Sequence, residues 1–309
     1  MKFSWSSLFG TNGYREIHNR AKAGDTAWVK RYLERGGDPN IKAVGDITPL
    51  YLVAKAGYFD IVKLLVEHGA DVNQKLDEVY SPDFTPVLVA AYEGHDNIVE
   101  FLLKNGAEKD IYIAAILGDL DILKKYIKEE GNVHIIRPKG TGKPYFLGKT
   151  LLHLATWRDS LDVVKFLIES NANIHARDER GLIPLHNAAS FDSQKSAKFL
   201  IEIGSDINAL DREKKTPLHK AVGLGRAEMV KFLIACGADI DAQDSHDATP
   251  LHRACHSRTW ANAQNYIKVV EILIANGANK NLRNGAGLTP LMLAKFCESS
   301  PEIINLLEK

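Results

Sequence analysis

Histidine titrates near neutral pH and ligates metals, so it is the first residue type to weigh for chemistry. Four histidines, His153, His186, His219 and His252, recur at a fixed interval of 33 residues. A metal centre would need several of them around one ion, at bonds of about 2 Å. A strict interval of this length instead places one histidine on each of a series of equivalent elements, and packed helices lie about 10 Å apart. The spacing therefore predicts structural rings, bonded to local backbone or to the threonine three residues earlier, and no metal site. The three cysteines, Cys236, Cys255 and Cys297, are too few for a disulfide framework, and no Cys-x-x-Cys pair offers a zinc site. Cys236 and Cys255 read as core thiols, with Cys297 nearer the surface. A nucleophile needs a base within hydrogen-bond reach. The only hints of one are the Cys255–His256 adjacency and the region of His153 and Asp159, and a helix points adjacent residues apart. Gly142–Thr150 has glycines and lysines in an order like a phosphate loop. However, five residues separate Gly142 from Gly148, where that loop has four, and no strand precedes it. No catalytic, cofactor-binding or metal-ligating residue is expected, so the chain is read as a non-enzyme.

The elements that carry these histidines repeat. Thr-Pro-Leu-His stands at Thr216–His219 and Thr249–His252. Variants occur at Thr48–Tyr51, Thr85–Leu88, Thr150–His153, Ile183–His186 and Thr289–Met292. A threonine before proline is suited to cap a helix whose first turn holds that proline. An apolar stretch follows at helical spacing, such as Met229, Val230, Phe232, Leu233 and Ile234, predicting a second helix over about 228–236. Gly-Ala-Asp-x-Asn or a relative closes each unit, at Gly69–Asn73, Gly204–Asn208, Gly237–Asp241 and Gly277–Asn281. Counted from the threonine position, units begin near 15, 48, 85, 109, 150, 183, 216, 249 and 289.

This pattern resembles the ankyrin repeat over nearly the whole chain, and four of the eight spacings equal its period of 33 residues. The resemblance implies an all-α solenoid of about nine stacked helix-turn-helix units with β-turn finger loops, curved around a concave groove. Stability is then a sum of unit and nearest-neighbour contributions, with polar terminal faces. The expected organisation is an N-terminal extension over 1–14, repeats one to three over 15–108 and an irregular fourth repeat over 109–149. Repeats five to eight follow over 150–288, and a capping repeat over 289–309. Units five to eight keep the best consensus, so they should be the stable block and the fourth unit the weak joint.

Departures from the repeat give the chain its individuality. The fourth unit, Lys109–Ala115, has lost the Thr-Pro and His positions together with most of the preceding finger. A basic-aromatic loop follows it, with Arg137, Lys139, Lys143 and Lys149 around Tyr145 and Phe146. A second insertion, 256–268, carries Arg258, Trp260 and Tyr266, and Leu76–Phe84 forms an acidic finger. The resemblance also implies where a partner would touch: the finger tips and the ends of the first helices. Those helix ends carry Tyr92, Ile116, Leu117, Trp157, Phe191 and Leu224 in succession. A continuous apolar-aromatic track marks an interface when it is exposed. The expected contact residues are Tyr92, Trp157, Arg158, Phe191, Leu224, Arg253, Trp260, Tyr145 and Phe146. Ile116 and Leu117 are expected to pack rather than bind.

Composition limits the function classes. The 309 residues include 39 basic and 39 acidic side chains, 45% hydrophobic residues and 25% charged residues. This is an ordinary folded composition, not a disordered one. Zero net charge argues against a nucleic-acid binder that works by bulk positive charge. No apolar run is long enough to span a bilayer, and the start lacks the apolar core of a signal peptide. The expected function is a non-catalytic interaction module acting as adaptor, inhibitor or scaffold. It would be monomeric by itself and bind a folded protein or an extended peptide, without a cofactor; the alternative readings are a regulator or enzyme, or a nucleic-acid or membrane-surface binder through the 137–149 basic loop. It is expected in the cytoplasm, or in a host-cell cytoplasm if it is a pathogen effector.

Overall fold

The computed structural model describes residues 13–76, 84–135, 148–255 and 263–309. Its helices come in antiparallel pairs, and the chain divides into two compact units at Ala114. The first unit holds α1 (Gly13–Lys22) with α2 (Thr26–Glu34), α3 (Pro49–Ala56) with α4 (Phe59–Glu67), and α5 (Pro86–Glu93) with α6 (Asp96–Lys104). Helix α7 (Ile111–Leu117) contains the division and is followed by α8 (Leu120–Glu130). The second unit continues with α9 (Leu151–Ala155) and α10 (Leu161–Glu169), then α11 (Pro184–Phe191) and α12 (Gln194–Glu202). Next come α13 (Pro217–Gly223) and α14 (Ala227–Ala235), α15 (Pro250–Cys255) and α16 (Ala263–Ala275), and α17 (Pro290–Phe296) and α18 (Pro301–Glu308). Within each unit the first helices of successive pairs pack side by side, as α1–α3–α5 and as α9–α11–α13–α15–α17.

Local chemistry explains these boundaries. Thr48, Thr85, Thr150, Thr216 and Thr289 each accept the backbone N–H three residues on, and proline follows all but Thr150 at the first helical position. In the fourth pair this cap is Asp110, whose Oδ1 accepts the Ile113 N–H at 2.7 Å. The unit is therefore anchored one residue later than Lys109, because a carboxylate can replace the missing hydroxyl and lysine cannot. Gly237, at φ +92°, ends the turn after α14 in a left-handed conformation that glycine adopts at little cost. Second helices bury an aliphatic triplet, such as Val163, Val164 and Leu167 or Met229, Val230 and Leu233. Each such side chain contributes about 1.5–3 kcal/mol. Helix α18 buries two, Ile303 and Leu307, and α8 departs furthest, burying Leu123 alone.

The histidine ladder ties neighbouring repeats together. In His153, His186, His219 and His252, Nδ1 accepts the backbone N–H of residue 150, 183, 216 or 249, each at 3.2 Å. Nε2 donates to a carbonyl of the next repeat: Leu182 at 2.9 Å, Lys215 at 3.0 Å, Ala248 at 3.1 Å and Leu288 at 3.0 Å. Both nitrogens are thus committed by neutral rings. Burial pushes the His153 pKa down to about 3, helped by the nearby Lys149 cation, and pushes His186 down to about 4. In the first unit, His18 makes the equivalent bond to the Ile47 carbonyl at 2.8 Å.

Part of the second insertion is helical. Helix α16 has 13 residues where α10, α12 and α14 have 9 each. Its extension carries Tyr266, which is buried and donates its hydroxyl to the Gly223 carbonyl at 2.9 Å. Cys255 is buried as expected, and burial raises its thiol to about 12. Cys236 is exposed, contrary to the reading from sequence, because it caps the end of α14 and lies beyond the buried face formed by Met229, Val230 and Leu233.

Candidate protein-binding surface

The sixth, seventh and eighth fingers are built on Asp178, Asp211 and Asp244. One carboxylate oxygen of each accepts two backbone N–H groups of its own turn: Arg180 and Leu182, Glu213 and Lys215, or His246 and Ala248. The other oxygen takes a cation. Lys220 Nζ lies 2.6 Å from Asp211 Oδ2, and Arg253 binds Asp244 Oδ2 through Nε at 2.9 Å and through Nη2. In the sixth repeat the equivalent helix position is Asn187, and the cation comes from Lys149 instead. Lys149 Nζ donates to Asp178 Oδ2 at 2.8 Å and to Asn187 Oδ1 at 3.0 Å. Burial alone would raise these carboxyl pKa values, but the adjacent cations and N–H donors hold all three below the ordinary value. Lys149 was expected in the solvent-facing basic loop. It is buried because a fixed carboxylate stands where its side chain ends. A sequence signal for this ladder existed: aspartates 33 residues apart, with a cation nine residues on in two of three repeats.

The expected apolar track is only partly open. Leu224, the residue that caps α13, is 51% exposed, and Phe191 is half-buried at the end of α11. Trp157 is buried at 5% exposure, which overturns its place on an open track. Helix α9 stops after five residues, so Trp157 falls in the turn beyond it. Its ring packs edge-on against Phe191, with centroids 4.8 Å apart. Ile116 is fully buried and Leu117 half-buried. Tyr92 in the first unit and Arg158 in the second are half-buried. Trp260, Tyr145 and Phe146 lie outside the described residues, as does most of the acidic finger.

The second unit also carries an open recess of about 650 Å³ between its last two fingers and the helices behind them. His246 and Asp247 come from one finger and Asn284 from the next, while Arg253, Leu293 and Phe296 come from α15 and α17. Phe296 is 74% exposed, the most open aromatic ring among the described residues. The Arg253 guanidinium is held by Asp244, so it meets the recess in a fixed orientation. The recess therefore offers an aromatic face, an oriented cation and backbone-braced turns, a combination suited to gripping a polypeptide. Of its lining, Arg253 was the residue expected from sequence. Asp247, Asn284 and Phe296 were not in that set, because whether a helix end stays open depends on the next repeat.

Comparison with known proteins gives the same architecture. The family model described as ankyrin repeats matches residues 17–112, 111–211 and 203–284. An ankyrin repeat protein of fowlpox virus is 27% identical over 175 residues, covering 54% of this chain and 17% of the relative. The potassium channel AKT1 of Arabidopsis thaliana is 34% identical over 163 residues, covering 52% of this chain and 18% of the relative. Alpha-latrocrustotoxin of Latrodectus tredecimguttatus is 28% identical over 131 residues, covering 41% and 9% respectively. The chain thus spans less than a fifth of the length of these relatives. No helix among the described residues is long and apolar enough to cross a membrane.

Proposed function

The chain belongs to the ankyrin-repeat family, and on that premise we propose that it is a non-catalytic protein-interaction module. In this reading it is an adaptor, inhibitor or scaffold that holds a partner protein or an extended peptide against the finger side of its repeats. The main support is the open recess at the end of the second unit, where Phe296 is 74% exposed beside the oriented Arg253. Leu224, Phe191, Arg158 and, in the first unit, Tyr92 are the further proposed contacts. Trp157 is withdrawn as a direct contact, because it supports Phe191 from within. The histidines offer no competing chemistry, since both nitrogens of each ladder ring are already bonded. The test is Leu224→Ser with Phe296→Ser in the full chain. Circular dichroism should be unchanged while crosslinked partners from the native cell fall away, and undiminished crosslinking would refute the reading.

A second reading within the same class is a pathogen effector that engages a host protein. The likeness to a fowlpox virus ankyrin repeat protein favours it. Proximity labelling in candidate host cells is the test, with Leu224→Ser/Phe296→Ser as the control. A host protein labelled by the wild type and lost in that variant supports it, and identical labelling by both refutes it. The cytoplasm, of the native cell or of the host, is the compartment proposed for either role, and the working unit is proposed to be a monomer.

A further inference from the structure

We infer that the tips of the sixth and seventh fingers form a docking site for an acidic peptide segment of a partner protein. This rests on the reading of the chain as an interaction module and specifies its partner's chemistry. Arg177, Arg180, Arg212 and Lys214 are exposed on these two fingers, and Leu210, 45% exposed, lies among them.

The tips are braced against each other. The Arg212 N–H donates to the Arg180 carbonyl at 2.9 Å. Arg177 Nη1 donates to the Gly181 carbonyl at 2.8 Å and to the Leu210 carbonyl at 2.6 Å, which ties one finger to the next. A peptide would therefore meet cations on a fixed frame, with little ordering left to do.

The cations of the two tips outnumber the acids beside them, Asp178, Glu179, Asp211 and Glu213, and three of those acids already hold a cation. Asp178 is paired with Lys149, Asp211 with Lys220 and Glu213 with Lys215. Arg180, Arg212 and Lys214 make no ion pair among the described residues. Burial lowers the Lys220 pKa, and Lys215 and Arg180 push it further down, so the cations of this region reinforce one another's field. Guanidinium groups take carboxylates with charge-assisted, often paired hydrogen bonds. The patch spans only two fingers, on a chain with 39 basic and 39 acidic side chains. That extent matches a short run of carboxylates rather than a nucleic-acid backbone, whose binding relies on many phosphate contacts. The exposed Leu210, whose carbonyl Arg177 holds, suits one apolar residue within the acidic run.

The experiment uses the full chain and a fluorescein-labelled peptide of about a dozen Glu and Asp residues with one central Leu, read by anisotropy at low and physiological ionic strength. Arg180→Gln/Arg212→Gln/Lys214→Gln should bind at least about tenfold more weakly, with unchanged circular dichroism. Lys165→Gln/Lys198→Gln/Lys231→Gln removes the same charge from the exposed outer-helix positions and should bind as the wild type does. Three results overturn the inference: no peptide binding by the wild type, equal loss in both triple variants, or tighter binding of a single-stranded oligonucleotide of the same length. None of these touches the interaction-module reading, which stands or falls with the Leu224/Phe296 crosslinking.

Discussion

Mild acid should loosen the second unit, and His153 and His186 set the size of the effect. In the unfolded chain a histidine protonates below its ordinary pKa of 6.5, whereas in the folded chain these two hold out to about 3 and about 4. Between those limits the unfolded state binds more protons, so stability is full above about pH 6.5 and falls as pH drops. Each pKa unit is worth about 1.36 kcal/mol. From pH 7.5 to pH 5.0 each ring should cost about 2 kcal/mol, and the pair about 4 kcal/mol. The carboxyls nearest the two rings, Asp178 and Asp211, stay ionised across that window. Lys149 and Lys220 remain paired with Asp178 and Asp211, whose carboxyls sit below their ordinary value of 3.8. Urea denaturation at both pH values, with the wild type and His153→Gln/His186→Gln, isolates the effect. The variant should lose about 1 kcal/mol per removed ring at pH 7.5, for the missing bond to the next repeat. Its further loss on going to pH 5.0 should be about 4 kcal/mol smaller than that of the wild type. Pulsed hydrogen exchange on amides of α9–α12 assigns the loss to this region even if the repeats do not unfold together. Equal pH dependence in the two proteins would mean that the rings are not held neutral by burial.

Trp157→Ala should destabilise the chain by about 3–5 kcal/mol, because a buried ring leaves a cavity. Leu224→Ala should stay within about 0.5 kcal/mol, and similar melting shifts for the two would contradict the burial difference. Lys149→Met leaves the Asp178 carboxylate buried without its cation and should cost about 3–5 kcal/mol. Adding Asp178→Asn should restore part of that loss, and no recovery in the double variant would argue that Lys149 acts only by filling space. Helix α8, which buries Leu123 alone, should exchange its amides faster than α14, which buries three residues. Protection of Ile122–Lys128 equal to that of Val230–Ala235 would remove the weak joint from the account.

The sequence determined whatever depends on spacing within one unit. Threonine caps three residues before an N–H, proline at the first helical turn and a glycine after most second helices, with Asn171 in its place after α10, are local requirements, so their periodic recurrence reveals the family and the helix pairs. The histidine ladder was legible for the same reason: a ring on every unit must find its partners in that unit or its neighbour. What the tertiary structure decided is what each side chain meets across the repeat boundary. Trp157 and Phe296 each follow their capping threonine by seven residues, yet Trp157 is buried and Phe296 is open. The ring of Phe191 in the next repeat closes over Trp157, while Phe296 stands in the last helix pair at the edge of an open recess. Lys149 reads as part of a basic loop until Asp178, 29 residues away, is placed beside it. Local geometry can be inferred from order along the chain, but burial and ion pairing are set by neighbours that only the folded stack brings into contact.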